Sequence, residues 1–127
     1  MKRENISGGS VIEEKVSYSR VVVAGDFIFV SGTTGFDYGT MEIDDHIEIQ
    51  TEQCFQNISE ALAKANATLK DVVKVLYIVP EDFKFEKCWP GIGKYLGDVR
   101  PAATMISAAL LDPHMKIEIE VTAIKAV

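Results

Sequence analysis

The chain has 127 residues, 47% of them hydrophobic and 25% charged, with a formal net charge of −6. That is the size and balance of one globular domain, too short for two cores and too apolar for a disordered chain. The negative balance works against binding to nucleic-acid phosphates or anionic lipid, and two histidines with two cysteines outside CxxC spacing give little from which to build a zinc site or a disulfide framework.

The start, "MKRENISGGS", is polar, without an apolar stretch behind its two basic residues, and no window approaches the length of a membrane span. A cytoplasmic protein with reduced thiols is expected, its first twelve residues a flexible lead-in to a single domain over residues 1–127. "KVSYSRVVVAGDFIFVSGTTG" then reads as two β-rich runs folded at Ala24-Gly25-Asp26 into a hairpin. The second run ends in Ser31-Gly32-Thr33-Thr34-Gly35, whose hydroxyls and glycines predict a loop open to close approach.

From Asp45 to Asn66, Ile47, Thr51, Cys54, Ile58, Ala61 and Ala65 recur at alternating steps of four and three, predicting an amphipathic helix with Cys54 on its buried stripe. Asp45 and Glu48 have capping-box spacing, and Asn66 suits the C-terminal end. "DVVKVLYIVP" is a short β-branched run of the kind found in central strands covered on both faces. A second helix is expected from Asp82, bent or irregular because Pro90 removes an amide donor and Gly91 and Gly93 weaken it.

"AATMISAALL" and "MKIEIEVTAIKAV" predict two closing strands around Asp112-Pro113-His114. In the last, Met115, Ile117, Ile119, Val121 and Ala123 share the core face, and Lys116, Glu118, Glu120 and Thr122 the other. The order ββαβαββ defines an α+β sandwich with two helices on one face of a mixed sheet. Nothing in the chain covers the other face, to which Val22 or Val23, Phe27 or Ile28, and Met105 or Ile106 contribute, so a cyclic homo-oligomer with ligand clefts between subunits is expected.

No nucleophile elbow, phosphate loop, HExxH or EF-hand pattern is present. Glu118 and Glu120, two apart on one strand face, are close enough for one carboxyl to be pushed up into an acid or base; the alternative is that both face water beside Lys116.

"VSGTTG" after a hairpin, "RPAATMI" entering a strand and "KIEIEVTAI" near the end together resemble the YjgF/RidA family, the reactive intermediate deaminases also described as endoribonuclease L-PSP. The resemblance runs from about Val16 to Val127. It implies a chorismate mutase-like fold with a mixed six-stranded sheet, assembled as a homotrimer with a small-molecule cleft between subunits, and imine or enamine hydrolysis without a metal or organic cofactor. It also implies Glu120 as the catalytic glutamate, Tyr18 as the cleft tyrosine and Ser31, Gly32 and Thr33 as backbone donors, with Cys88 and Trp89 near a further polar cleft position.

One family residue does not carry over. Where deaminating members read P-A-R, this chain reads Pro101-Ala102-Ala103, so a methyl group stands where a guanidinium would grip a substrate carboxylate. Losing such a contact costs about 2–5 kcal/mol of binding. Arg100, three positions earlier, cannot replace it along an extended strand, but reaches the cleft rim if the segment before Pro101 is a loop. The expected function is therefore a cofactor-free hydrolase or deaminase of the RidA type acting on something other than 2-aminoacrylate. A non-catalytic metabolite-binding module is the alternative, and a ribonuclease fits the charge poorly.

Overall fold

The computed structural model describes residues 2–125. Six strands form one sheet: β1 (Arg3–Ile6), β2 (Val21–Ala24), β3 (Phe27–Thr34), β6 (Val72–Val79), β7 (Ala102–Ser107) and β8 (Glu118–Ile124), in the order β1-β2-β3-β8-β6-β7. Only β6 and β7 run parallel, joined by a crossover that contains helix α3 (Trp89–Leu96). Helix α2 (Ile47–Lys64) lies between a two-strand ribbon, β4 (Phe36–Asp37) with β5 (Glu42–Ile43), and a 3-10 turn at Leu69–Asp71. Among the described residues no helix is long and apolar enough to cross a membrane.

The core lies between α2 and one sheet face. Val21, Val23, Ile28, Val30, Val75, Ile119, Val121 and Ala123 meet Cys54, Phe55, Ile58, Ala61 and Leu62, all buried. Each large side chain in that layer contributes about 1.5–3 kcal/mol by leaving water. Ile117, Ile119, Val121 and Ala123 keep the expected alternation, and Cys54 occupies the core as expected. The hairpin folds at Gly25, whose φ of 61° places it in the left-handed region.

Several expectations need correction. The N-terminal lead-in is structured: Arg3–Ile6 pairs antiparallel with β2, supplying the sixth strand, and helix α1 (Val11–Val16) follows with a Ser10–Glu13 capping box. The ribbon β4–β5 was not foreseen. Helix α2 starts one residue later than its capping pattern predicts, with His46 as N-cap and no side-chain cap bond; Asp44 instead accepts the His46 amide at 2.8 Å. Asn66, at φ 58°, ends the helix as expected.

Strand β6 is internal, between β8 and the edge strand β7, but only one of its faces is covered, leaving Lys74 exposed and Leu76 and Ile78 half-buried. Pro90 does not kink a helix: it sits in the first turn of α3, where its missing amide donor is no loss, and the irregularity is the 3-10 segment Asp82–Cys88 before it. The last two residues of the expected C-terminal strand, 126 and 127, lie outside the described residues.

The sheet's second face is uncovered by this chain. It presents Val22, Phe27, Phe29, Leu76, Ile78, Ile106 and Ile124 with Glu118, Glu120 and Thr122 among them, which resolves the paired alternatives in favour of Val22, Phe27 and Ile106. Phe27 and Phe29 stack 6.3 Å apart and are 43% and 45% exposed.

Candidate functional site

The candidate residues fall into two groups on opposite faces of the sheet. The first surrounds the end of β3. The β3–β8 register breaks between Val30 and Thr33, so Ser31 and Gly32 have no partner in that ladder. Because Gly32 lacks a side chain, Glu118 folds over it: a β-carbon at position 32 would collide with the Glu118 carboxylate.

Arg20 closes this group. Its guanidinium donates to the Gly32 carbonyl at 3.1 Å and lies 5.9 Å from the Tyr18 ring and 5.1 Å from the Tyr38 ring. The side chain is 92% buried by its 8% exposure, and among the described residues it forms no ion pair within 4.0 Å. A buried cation of this kind is stabilised by nearby negative charge, and its charge acts on Glu118, opposing the rise of that carboxyl's pKa.

The two strand glutamates differ sharply. Glu118 is half-buried, accepts no hydrogen bond among the described residues, and burial with the neighbouring Glu120 charge raises its pKa above the ordinary carboxylate value, partly opposed by Arg20. Glu120 is exposed. In the single chain Glu118 is thus the carboxylate whose proton affinity its surroundings raise, and Glu120, the position that the motif implies, lies beside it on the open face.

Two other expectations change here. Ser31–Thr34 is strand rather than loop. The Ser31 amide donates to Arg20 O at 3.0 Å and its hydroxyl to Ser19 O at 2.6 Å, so both its donors are committed within the chain. Thr33 is buried, donating its hydroxyl to Ser31 O at 2.8 Å while its carbonyl accepts from the Cys54 thiol at 3.5 Å, so its contacts serve the core.

The second group lines a cavity of about 420 Å³ on the helix side, between β6, β7 and α3. Ala103 and Met105 of β7 sit beside Val75 and Tyr77 of β6 in parallel register and form the floor. Phe85, Trp89 and Ile92 form a wall, and Arg100 stands at the edge. Tyr77 packs 5.5 Å from Phe85, and burial followed by the nearby Cys88 pushes its hydroxyl up to about 12. Arg100 does belong to a turn and not to the strand, as its place at the rim requires.

Cys88 does not share this lining. Its side chain is buried, and burial raises its thiol pKa, so it packs as a core residue and not as a reactive thiol. Arg20 and Tyr38 were not singled out in the sequence, and Phe85 and Met105 not as site residues, Met105 being named only as a candidate for the open sheet face, where Ile106 lies instead. Only Arg20 carried a signal there, as a lone cation directly before the apolar run Val21–Val23.

Gly32 and Ala103 are three strand spacings apart, roughly 14 Å at the usual inter-strand distance. One chain thus keeps the Glu118 group and the Ala103 cavity separate. A larger cavity of about 790 Å³ between α2 and α3, bordered by Lys70, Lys94 and Tyr95, contains none of the candidate residues. Among the described residues no group of three or more His, Cys, Asp or Glu is placed to hold a metal ion.

A mixed six-stranded sheet with helices on one face and this strand order is the chorismate mutase-like α+β fold. The crystal structure of Rv2704 from Mycobacterium tuberculosis, a member of the YjgF/YER057c/UK114 family, superposes with a TM-score of 0.89 at 34% identity over 98% of this chain and all of that one. RidA from the Antarctic bacterium Psychrobacter sp. PAMC 21119 matches at 0.81 with 27% identity, covering 95% and 94% of the two chains. A RutC family protein of Pyrococcus abyssi is 35% identical over 85% of this chain and 86% of its own. The Endoribonuclease L-PSP family model matches residues 9–125, and the chain belongs to this YjgF/RidA/L-PSP family.

Proposed function

We propose that three copies assemble through their open sheet faces and that each inter-subunit cleft hydrolyses an imine or enamine without a metal or organic cofactor. The half-buried, unpaired Glu118 over Gly32 carries this reading. Assembly removes Phe27, Phe29 and Val22 from water, and it places the edge strand β7 of one copy beside the Glu118 group of the next, uniting the two halves that one chain keeps apart.

In that cleft the Glu118 carboxylate takes a proton from water as the water oxygen adds to the imine carbon, and the proton passes to the imine nitrogen. The resulting carbinolamine then transfers its hydroxyl proton through Glu118 to the nitrogen as the C–N bond breaks. One imine and one water give one carbonyl compound and one ammonia. Arg20 stabilises Glu118 while it is ionised, and Tyr18 lines the approach. Glu120, exposed beside it, acts by raising the Glu118 proton affinity.

We read Ala103, standing where the motif of deaminating members has arginine, as the mark of a branch without that arginine, for which 2-aminoacrylate would be a poor substrate. The test is ammonia release from imines generated in situ by an amino-acid oxidase. Glu118→Gln should lose about a hundredfold or more of the rate, the usual scale for removing a general acid–base, and Glu120→Gln much less. Ala103→Arg should shift preference toward the smallest imino acids. A Glu118→Gln variant as active as the natural protein overturns the assignment.

A further inference from the structure

Within the Ala103 cavity, Arg100 is the one charged residue of the lining. Among the described residues its guanidinium makes no hydrogen bond or ion pair, so its five donors are not consumed by the fold. Its backbone is unusual as well: φ is 52°, a left-handed conformation that penalises a residue with a β-carbon, held by its amide donating to Leu96 O at 2.9 Å. Pro101 follows directly and fixes where β7 begins. Asparagine or glycine would suit the turn at lower cost, so the backbone alone does not select arginine there.

The rest of the cavity is apolar and largely aromatic. Trp89, Phe85 and Tyr77 supply ring surfaces, Met105 a polarizable thioether, and Ala103 the space that a longer side chain would fill. Trp89 is 56% and Met105 55% exposed, so this surface is open to a ligand in the single chain. An exposed arginine in the same lining as aromatic walls matches a small planar hydrophobic group that carries a carboxylate: the rings take the hydrophobic body, and the fork takes two carboxylate oxygens.

We infer that the cavity between β7 and α3 binds an aromatic carboxylate, with Arg100 as its anion anchor and the room left by Ala103 taken by the ring. The inference rests on the reading of this cavity as one half of the cleft, and it sets the substrate class there: imines of 2-oxo acids with aryl side chains rather than two- or three-carbon ones. The anchoring charge has moved from the strand to the turn before it. The ring then occupies the volume in which an arginine at position 103 would lie.

Trp89 is the chain's only tryptophan and stands on the cavity wall, so its fluorescence reports this site alone. Phenylacetate titrated into the full-length protein should change Trp89 emission saturably, and should bind about tenfold or more tightly than acetate, since only the former buries a ring. Arg100→Gln should weaken phenylacetate about tenfold or more, with Arg100→Lys intermediate. Ala103→Leu, which fills the cavity without altering charge, should weaken phenylacetate and leave acetate unchanged. Unaltered thermal unfolding of each variant shows that the fold is intact.

Equal affinity for acetate and phenylacetate, or full phenylacetate affinity in Arg100→Gln, overturns the inference. So does Trp89 emission that ignores phenylacetate but changes on dilution to monomers, since a second copy's side chain then fills the cavity. Phenylacetate binding without any ammonia release counts against the proposed hydrolysis and leaves the aromatic site standing. Ammonia release without phenylacetate binding does the reverse.

Discussion

Two carboxylates flank Arg20, and the sheet treats them in opposite ways. Glu13, on the helix side, is 4% exposed and accepts from the amides of Gly8 at 2.9 Å, Ser10 at 3.1 Å and Arg20 at 2.9 Å, and from the Ser10 hydroxyl at 2.6 Å. Burial pushes its pKa up, but these bonds outweigh burial, and the net shift is downward. Glu118, on the open face, is also penalised by burial, has a like charge beside it and no donor, and shifts upward. A buried carboxylate supplied with donors holds structure together; one deprived of them binds its proton more tightly than an ordinary carboxyl does.

The difference between the two faces is broken most completely by charging the open one. Phe29 lies between Val22 and Thr122 in register, so Phe29→Glu sets a carboxylate into the apolar centre of the proposed interface. The variant is expected to elute as a monomer by light scattering where the natural protein elutes as a trimer, with the α2-side core intact by circular dichroism. Next in size is Glu13→Ala, which leaves the buried Arg20 amide without its partner and opens the loop at Gly8 and Ser10, and should lower unfolding free energy in urea by about 1–3 kcal/mol. Retention of the natural stability would show that water replaces the carboxylate.

Much of this layout was legible in the sequence because it rests on periodicity. The alternation through Ile117–Ala123 and the four-three spacing of α2 are dictated by which side chains must leave water, and both patterns survive in the fold. Strand β1 was not legible: Arg3–Ile6 is short, polar and exposed, and exists because β2 offers it an unpaired edge. The difference between Glu118 and Glu120 was not legible for a similar reason. Both sit on the same strand face, and only the ladder break at Ser31-Gly32 determines which one is covered, a feature with no local sequence signature.

The two carboxylates should also separate by pH. Glu118 binds its proton more tightly folded than unfolded, so stability falls as pH rises from the ordinary carboxylate value through the raised one. Glu118→Gln cannot titrate, and its stability relative to the natural protein should increase across that window in urea unfolding. Glu13 is the mirror case: its lowered pKa contributes stability above the ordinary value that is lost as pH falls through the folded one. The deficit of Glu13→Gln should therefore shrink on acidification. Parallel pH profiles for the two variants would erase the distinction between them.

The smallest stability change, and the most selective one, belongs to Gly32→Ala. The new methyl group meets the Glu118 carboxylate, the mobile end of a side chain, and not backbone, so the carboxylate can swing aside at a cost of about 1 kcal/mol or less. Swinging aside takes it away from Gly32 and Arg20 into solvent, which removes the burial that raises its pKa. The variant is expected to unfold at nearly the natural urea midpoint while losing most of its ammonia release, and to lose the falling stability with pH assigned to Glu118. Gly35→Ala is the contrasting control, because its β-carbon would lie 2.8 Å from the Gln50 Cα, where backbone must yield and stability must fall. If Gly32→Ala keeps the natural rate, the covered position of Glu118 has no part in the chemistry, and the acid–base group lies elsewhere on the open face.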